Sequence, residues 1–540
     1  MAGGPIAAGG GLSTDGPKNK WAGILMTLFA AFGGILYGYD TGTISGIIAM
    51  QNWKCTFGHT VNGVPCTITT SNTALVVSIL SVGTFFGALL GAPMADIVGR
   101  RMGIIASCLV FCIGVAMQTA STALPLFVVG RVFAGLGVGL VSCLIPMYQS
   151  ECAPKWIRGG IVSCYQFAIT IGILLANVFN NATQGRNDHS SYRIPIGIQF
   201  IWAFVLAAGM VFLPESPRFL IKRGRDEAAA KSLSRLLGTS DVNDSAVQFE
   251  LNEIRSALQL EQEMAAGSYL DCFRDGGNKV HMRTLTAIFL QAWQQLTGIN
   301  FIFYYGTTFF QSSGIASPFL ISIATSVVNV GMTIPGIYLV DKAGRRNLLL
   351  WGALGMLVCE YIVAIVGVTV GQAGVTDGSR AVNLPAQKVL VAFTCIYIAF
   401  FASTWGPIAW VVTGEIFPLN VRGKGMSLAT ASNWLWNWAL SFATPYLVQK
   451  GPGDANLGVK VFFIWGSTCV GCLIFTYFFI PETKGLALEQ IDLLYQNSTP
   501  RTSIAYRNRI INENITAQDT LVRERKGHAA ADERHSDEKV

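Results

Sequence analysis

Apolar runs of about 20 residues recur along nearly the whole chain, separated by short stretches rich in charge, Gly and Pro, and a run of that length crosses the roughly 30 Å hydrocarbon core of a bilayer as a helix. The runs begin near Ala22, Thr73, Gly103, Leu124, Gly160, Pro195, Leu285, Pro318, Asn347, Ala386, Met426 and Lys460, which predicts twelve transmembrane helices. An even number leaves both chain ends on one side. Between the sixth and seventh runs lies a charged segment whose RDEAAAKSLSRLLG and FELNEIRSALQLEQEMAAG portions have helical spacing and i to i+4 charge pairs. The pattern predicts an all-α membrane protein: an N-terminal tail (1–20), a six-helix half (21–214), a cytoplasmic linker with short helices (215–283), a second six-helix half (284–481) and a polar tail (482–540) that reads as largely disordered.

Composition supports this, since 51% of the residues are apolar and only 13% charged, less charge than a soluble chain of this length carries. The 58 glycines, densest in GRVFAGLGVGL from Gly130 to Leu140, suit helices that must approach closely in lipid. The net charge of +7 resides in short loops and the linker, with no aromatic-interleaved basic surface, so nucleic acid is not an expected partner. Positive charge sets orientation. Loops holding Arg100 and Arg101, Lys155 and Arg158, Lys342, Arg345 and Arg346, and Arg422 and Lys424 are expected in the cytoplasm with both termini, although Arg186, Arg193, Lys450 and Lys460 fall outside.

The N-terminus has no hydrophobic signal core, so no cleaved signal peptide is expected. Asn181 begins an NAT sequon at an outer helix end and is a glycosylation candidate. Cys55 and Cys66 share a polar outer loop, where a disulfide and two free thiols are both open readings. No metal-ligand cluster, nucleophile triad or phosphate loop stands out, which points away from an enzyme and from any cofactor. Oligomeric state is not legible.

The two halves repeat. DIVGRR (Asp96 to Arg101) after the second run recurs as DKAGRR (Asp341 to Arg346) after the eighth. ECAPKWIRG (Glu151 to Gly159) after the fourth recurs as EIFPLNVRG (Glu415 to Gly423) after the tenth, and PESPR (Pro214 to Arg218) is matched by PETKG (Pro481 to Gly485). Three motif pairs in one order on one membrane face indicate two six-helix units related by an axis along the membrane normal, with a site near the midplane between them.

These motifs resemble the sugar porter branch of the major facilitator superfamily, and within it fungal hexose transporters, from about Trp21 to Gly485. One departure is Ala92, where the family's second-loop motif has glycine. The resemblance implies a cytoplasmic gate in which Asp96, Arg100, Arg101, Glu151 and Arg158, with Asp341, Arg345, Arg346, Glu415 and Arg422, form ion pairs; the plainer reading is that these charges only fix topology.

A sugar presents hydroxyls that donate and accept, so a neutral site wants amides, which do both, and aromatic faces for the ring. FLQAWQQLTGINFIFYY puts Gln291, Gln294 and Gln295 on one helix face, and Asn433 and Asn437 share another at i, i+4. Such amides also serve as interhelical glue. The resemblance implies Gln294, Gln295 and Asn300 as hydroxyl ligands through QQLTGIN, adds Gln166 through YQFAI, and adds Asn329 and Asn433 by position. It also implies Trp405 and Trp410 of STWGPIAW as ring covers at a helix break made by Gly406 and Pro407, with Tyr37 as a further aromatic.

Asp40 lies in the apolar GGILYGYDTGTISG stretch, where a carboxylate costs roughly 2.5–3.5 kcal/mol. It is about 15 Å deep by helical rise, and Arg131, the one Arg or Lys well inside a run, is about 11 Å deep from the same face. A fixed ion pair and a proton-operated switch are both open. Proton-coupled sugar porters carry this aspartate where animal facilitators carry asparagine, but fungal facilitators keep it too. The expectation is a plasma-membrane transporter of glucose and related hexoses by alternating access, coupled to a proton, with an equilibrative facilitator as alternative. A transporter-like glucose sensor is the rival of another class; such receptors usually have longer cytoplasmic tails.

Overall fold

The computed structural model describes residues 20–61, 64–154, 158–263, 268–274, 279–312, 317–371, 384–418, 421–449, 453–486 and 488–512. Twelve spans cross it in the predicted order. Span one is Trp21–Ile47, with a turn at Ala31 and Phe32; span two is Thr70–Ile97, span three Arg100–Ala120, span four Leu124–Cys152, span five Arg158–Thr183 and span six Ser190–Phe212. Span seven is split into Val280–Leu296 and Ile299–Ser312; span eight is Pro318–Ala343 and span nine Arg345–Val366. Span ten is split into Leu384–Ser403 and Trp405–Ile416, span eleven is Arg422–Val448 and span twelve Val461–Phe479.

Among the described residues, ten spans are long and apolar enough to cross a membrane on composition alone. Spans seven and eleven are not among them, because they carry Gln291, Gln294, Gln295, Asn433 and Asn437, all buried. A helix can hold such residues in lipid only by turning them toward other protein.

Within the first half, span four packs against spans two and three along its glycine stripe. A methyl group at Gly114 would stand 2.6 Å from the Gly130 carbonyl oxygen, and one at Gly38 would strike the backbone of Ile169 in span five. The two halves meet at spans two and eleven, and at spans five and eight, which is the same contact under the repeat. Spans one and seven meet on the axis. Polar links cross this seam at several depths. Thr70 donates to Asp454 at 2.8 Å near the outer end, and Asn177 donates to Ser326 at 2.8 Å. Ser81 donates to Asn437 at 2.6 Å near the middle, and Ser427 donates to the Ala88 carbonyl at 2.8 Å toward the inner end.

The linker forms helices Pro217–Lys222, Asp226–Leu237 and Ser245–Glu263, which enclose a small core of Phe219, Leu220, Leu233, Val247 and Leu251. Two features go beyond the sequence reading. The outer loop after span one is a helix, Gln51–Phe57, and a hairpin of His59–Val61 with Val64–Thr67, closed by a Cys55–Cys66 disulfide. The tail is also not disordered from its start. Leu488–Asn497 is a helix with Ile491 and Leu494 buried, and its Asp492 pairs with Arg283 at the foot of span seven. An apolar i, i+3 pair and one acid suffice to dock a short polar helix where a buried arginine needs a counter-charge. Residues 513–540 lie outside the described residues.

Candidate functional site

Span seven loses its helical path at Gly298, whose φ of +82° is one that side chains avoid, and a Cβ there would stand 2.5 Å from Trp465. Span ten breaks at Thr404, where φ is −132° and ψ −84°, slightly before the predicted Gly406–Pro407. Pro407 instead sits in the first turn of the second segment, where its missing N–H costs nothing. The two breaks face each other. Gln294 donates through Nε2 to the carbonyls of Trp405 at 3.0 Å and Gly406 at 3.1 Å.

From Gln294 the amides form a connected set. Asn433 donates to Gln294 Oε1 at 2.8 Å and to Gln291 Oε1 at 2.7 Å, and Gln291 donates to Thr413 at 3.1 Å. Gln295 Oε1 accepts from Asn300 and, at 3.2 Å, from Asn437. Asn437 Oδ1 in turn accepts from Ser81 across the seam and from the Tyr304 hydroxyl at 3.3 Å. Tyr37 of the first half packs edge-on to Trp434 with centroids 5.0 Å apart, and the Trp434 indole donates to Ser142 at 3.3 Å. A narrow cleft adjoins the set, lined in part by Gln295, Asn300, Phe301, Tyr305 and Trp465. The cluster is uncharged and buried, and each amide can exchange an amide neighbour for a hydroxyl without leaving a donor or acceptor bare.

Of the predicted ligands, Gln294, Gln295, Asn300, Asn433 and Trp405 are thus brought together. Gln166 reaches the same break from the first half, its Nε2 lying 3.6 Å from where a Gly406 Cβ would be. Asn329 is buried in span eight, with no partner for its Oδ1 among the described residues. Trp410 is half-buried, about 7 Å farther along span ten than Trp405 by helical rise. Sequence reasoning missed Ser81, Ser142, Tyr304 and Trp434, because small hydroxyls and aromatics in apolar runs look like ordinary packing. Asn181 occupies the last turn of span five, half-buried, and accepts from Gln184 at 2.8 Å.

Asp40 and Arg131 meet as their depths predict. Arg131 Nη1 donates to both carboxylate oxygens, at 3.1 and 3.2 Å, and Nε donates to the Val76 carbonyl at 3.3 Å. Both side chains are essentially inaccessible. Gln199 of span six, not singled out from the sequence, is buried beside Asp40.

The charges of the paired motif loops form two matching clusters. Glu215 accepts from the backbone N–H groups of Arg100 and Arg101, each at 3.0 Å, and Glu482 does the same for Arg345 at 2.9 Å and Arg346 at 3.1 Å. Each carboxylate therefore caps the start of a span, where helix ends favour negative charge. Arg100 pairs with Glu151 and Arg345 with Glu415, both at 2.8 Å. Arg101 donates to the Val211 carbonyl, Arg346 to that of Tyr477 and Arg422 to that of Gly414. Asp96 pairs with Lys222 of the linker at 3.2 Å. The side chains of Arg158 and Asp341 lie outside the described residues. Of the expected gate charges, Arg100 pairs with Glu151 wholly within the first half and Arg345 with Glu415 wholly within the second. They brace one end of each bundle instead of bolting one bundle to the other, because the three motif loops of a half converge on one carboxylate pair.

A duplicated six-plus-six bundle with braced ends and a polar seam is a transporter of the major facilitator type. A family model described as "Sugar (and other) transporter" matches residues 26–495, and the chain belongs to that family. It is 53% identical to the major facilitator-type transporter ecdD of Aspergillus rugulosus, over 92% of both chains. It is 46% identical to the probable glucose transporter rco-3 of Neurospora crassa, over 88% of this chain and 79% of that one. It is 43% identical to the high glucose sensor RGT2 of Saccharomyces cerevisiae, over 88% of this chain and 61% of the sensor. The proton:xylose symporter XylE bound to 6-bromo-6-deoxy-D-glucose superposes with a TM-score of 0.75 at 28% identity, covering 88% of this chain and 100% of that one. The relatives are transporters and a sensor, not enzymes.

Two outcomes follow from this geometry. Arg131→Ala leaves Asp40 buried without its cation, which costs about 3–5 kcal/mol and lowers the melting temperature in detergent, while adding Asp40→Asn recovers most of the loss; an unchanged melt for the single variant contradicts the pairing. Gly99 has φ +101°, and a Cβ there would stand 2.6 Å from Glu215 Oε2, so Gly99→Ala costs about 1–3 kcal/mol, whereas Gly197→Ala, with nothing within 4 Å, leaves the melt where it was.

Proposed function

We propose that the protein carries glucose and related hexoses across the plasma membrane by alternating access, in symport with a proton. The observation that carries the sugar reading is the uncharged amide set at the facing breaks of spans seven and ten, on the seam between the halves. A hexose has no charge to be paired and many hydroxyls to be matched, and amides with flanking indoles match them. The bundles spanning 21–214 and 284–481 are the rocking bodies, each made stiff by its own cytoplasmic cluster, with 215–283 joining them. The relatives named as a probable glucose transporter and a proton:xylose symporter support the same reading.

Proton coupling rests on Asp40 and Arg131. A buried pair of this kind has two states: ionised and mutually bonded, or protonated with the arginine released to other partners. About 100 mV supplies roughly 2.3 kcal/mol per charge and a pH unit about 1.4 kcal/mol more, enough to concentrate a sugar several hundred-fold.

In proteoliposomes, labelled glucose is expected to accumulate above its external level under an inward proton gradient, and a protonophore should abolish the excess. Accumulation is lost in Asp40→Asn while exchange of sugar for sugar persists. Flux that only equilibrates identifies a facilitator; binding without flux identifies a sensor. Gln294→Ala combined with Asn300→Ala removes hydroxyl contacts of about 0.5–1.5 kcal/mol each and weakens glucose binding about tenfold; unchanged binding places the sugar elsewhere.

A further inference from the structure

Each half of the molecule is a control for the other. DIVGRR is repeated as DKAGRR, and PESPR as PETKG. The residues common to both halves, Arg100 and Glu215 or Arg345 and Glu482, build the braced ends. The second half carries charge beyond that need. Lys342 stands where the first half has the exposed Ile97, and Lys484 where it has Pro217. Arg501 of the tail joins them, held in place because Ser503 Oγ accepts from the Glu482 N–H at 3.0 Å and Arg507 donates to the Lys484 carbonyl.

These cations gather where the lipid-facing surface ends. The Arg346 guanidinium lies 5.4 Å from the centre of the Tyr477 ring, and that of Arg501 lies 5.3 Å from the same ring and 4.6 Å from the Phe478 ring. Lys342 Nζ is 4.3 Å from the Tyr338 ring, and Lys484 Nζ donates to the Lys342 carbonyl at 2.6 Å. Tyr338, Tyr477 and Phe478 are exposed near the ends of spans eight and twelve, where an apolar span has lipid for a neighbour.

The acids nearby are already engaged. Glu482 accepts from the backbone N–H groups of Arg345, Arg346 and Lys484, and Glu415 pairs with Arg345. Among the described residues no carboxylate lies within ion-pair distance of Lys342, Arg346, Lys484 or Arg501. Arg346 is 5% exposed, and its Nε finds no acceptor. Two guanidiniums on one ring, with two lysines beside them, repel one another unless an anion comes between.

We propose that Lys342, Arg346, Lys484 and Arg501 form a site for the headgroup of an anionic membrane phospholipid. Arginine forks suit phosphate oxygens and lysines add point charge. The acyl chains of such a lipid lie along the span surface that ends in Tyr477 and Phe478, which a soluble anion has no means of using. Positive charge predicts this face to be cytoplasmic, and that leaflet is the one that holds the anionic lipid. The site stands whatever the transporter carries.

Native mass spectrometry of the full-length protein, with phosphatidylserine and phosphatidylcholine supplied in equal amounts, tests this. The wild type should retain phosphatidylserine in preference. A cation near an anionic lipid is worth about fivefold, so Arg501→Gln and Lys342→Ile should each lower phosphatidylserine retention about fivefold and together about 25-fold. Lys342→Ile installs the residue that the first half already tolerates. Both variants should melt as the wild type does in detergent with phosphatidylcholine alone, and Arg186→Gln, exposed at the opposite end of the bundle, should retain lipid unchanged. A wild type without preference, or variants that retain phosphatidylserine as well as it does, overturns the site. Displacement of phosphatidylserine by glycerophosphoserine, the headgroup without chains, at equal concentration overturns the assignment to a membrane lipid.

Discussion

Hydrocarbon offers no hydrogen bonds, and the architecture follows from that constraint. Every amide, hydroxyl and charge that the spans carry below the headgroups must find its partner inside the protein. Gln291, Gln294, Gln295, Asn433 and Asn437 satisfy this by bonding to one another and to carbonyls in the first turn after the span-ten break. The requirement that draws spans seven, ten and eleven together is thus the one that gathers hydroxyl-matching groups at a single depth. Breaks that would be faults in a lipid-facing helix are tolerable here because protein covers them.

The same constraint explains why charge is handled differently at the two depths. Near one end of the spans, Glu215 and Glu482 each accept from a span's first N–H groups while an arginine from that turn reaches a second acid, Glu151 or Glu415. Because the clusters agree in partners and nearly in distance, they act as equivalent clamps. Deeper in the spans, Asp40 has a single arginine, Arg131. Stiff ends and a sparsely paired acid in the interior suit two rigid bodies whose contact surface has to change.

Much of this was legible in the sequence. Run lengths fixed the span order, the motif pairs fixed the duplication, and counting depth from opposite ends brought Asp40 to Arg131. Amides at i, i+3 and i+4 on span seven named the face that proved polar. What could not be read was which partner each group takes. Glu215 and Glu482 sit in motifs that look like punctuation, and only the positive φ at Gly99 and Gly344, which turns the chain toward them, makes them caps. The direction of the ion pairs, within a half, was equally hidden, since residues far apart in sequence within a half and between halves carry the same signs.

The docked tail helix has a practical reach beyond its size. Arg283 sits at the foot of span seven with its guanidinium 4.5 Å from the Tyr495 ring and Asp492 as its acid, and Lys279 donates to the Tyr495 carbonyl. The first turn of the helix bearing Gln294 is therefore propped by residues that lie after the last membrane crossing. Trimming the chain before Leu488 would strand a cation under the second bundle, so fluorescent fusions and shortened versions belong downstream of Asn512, and chemistry that cuts or decorates this short helix would be felt at the opposite end of span seven's inner segment.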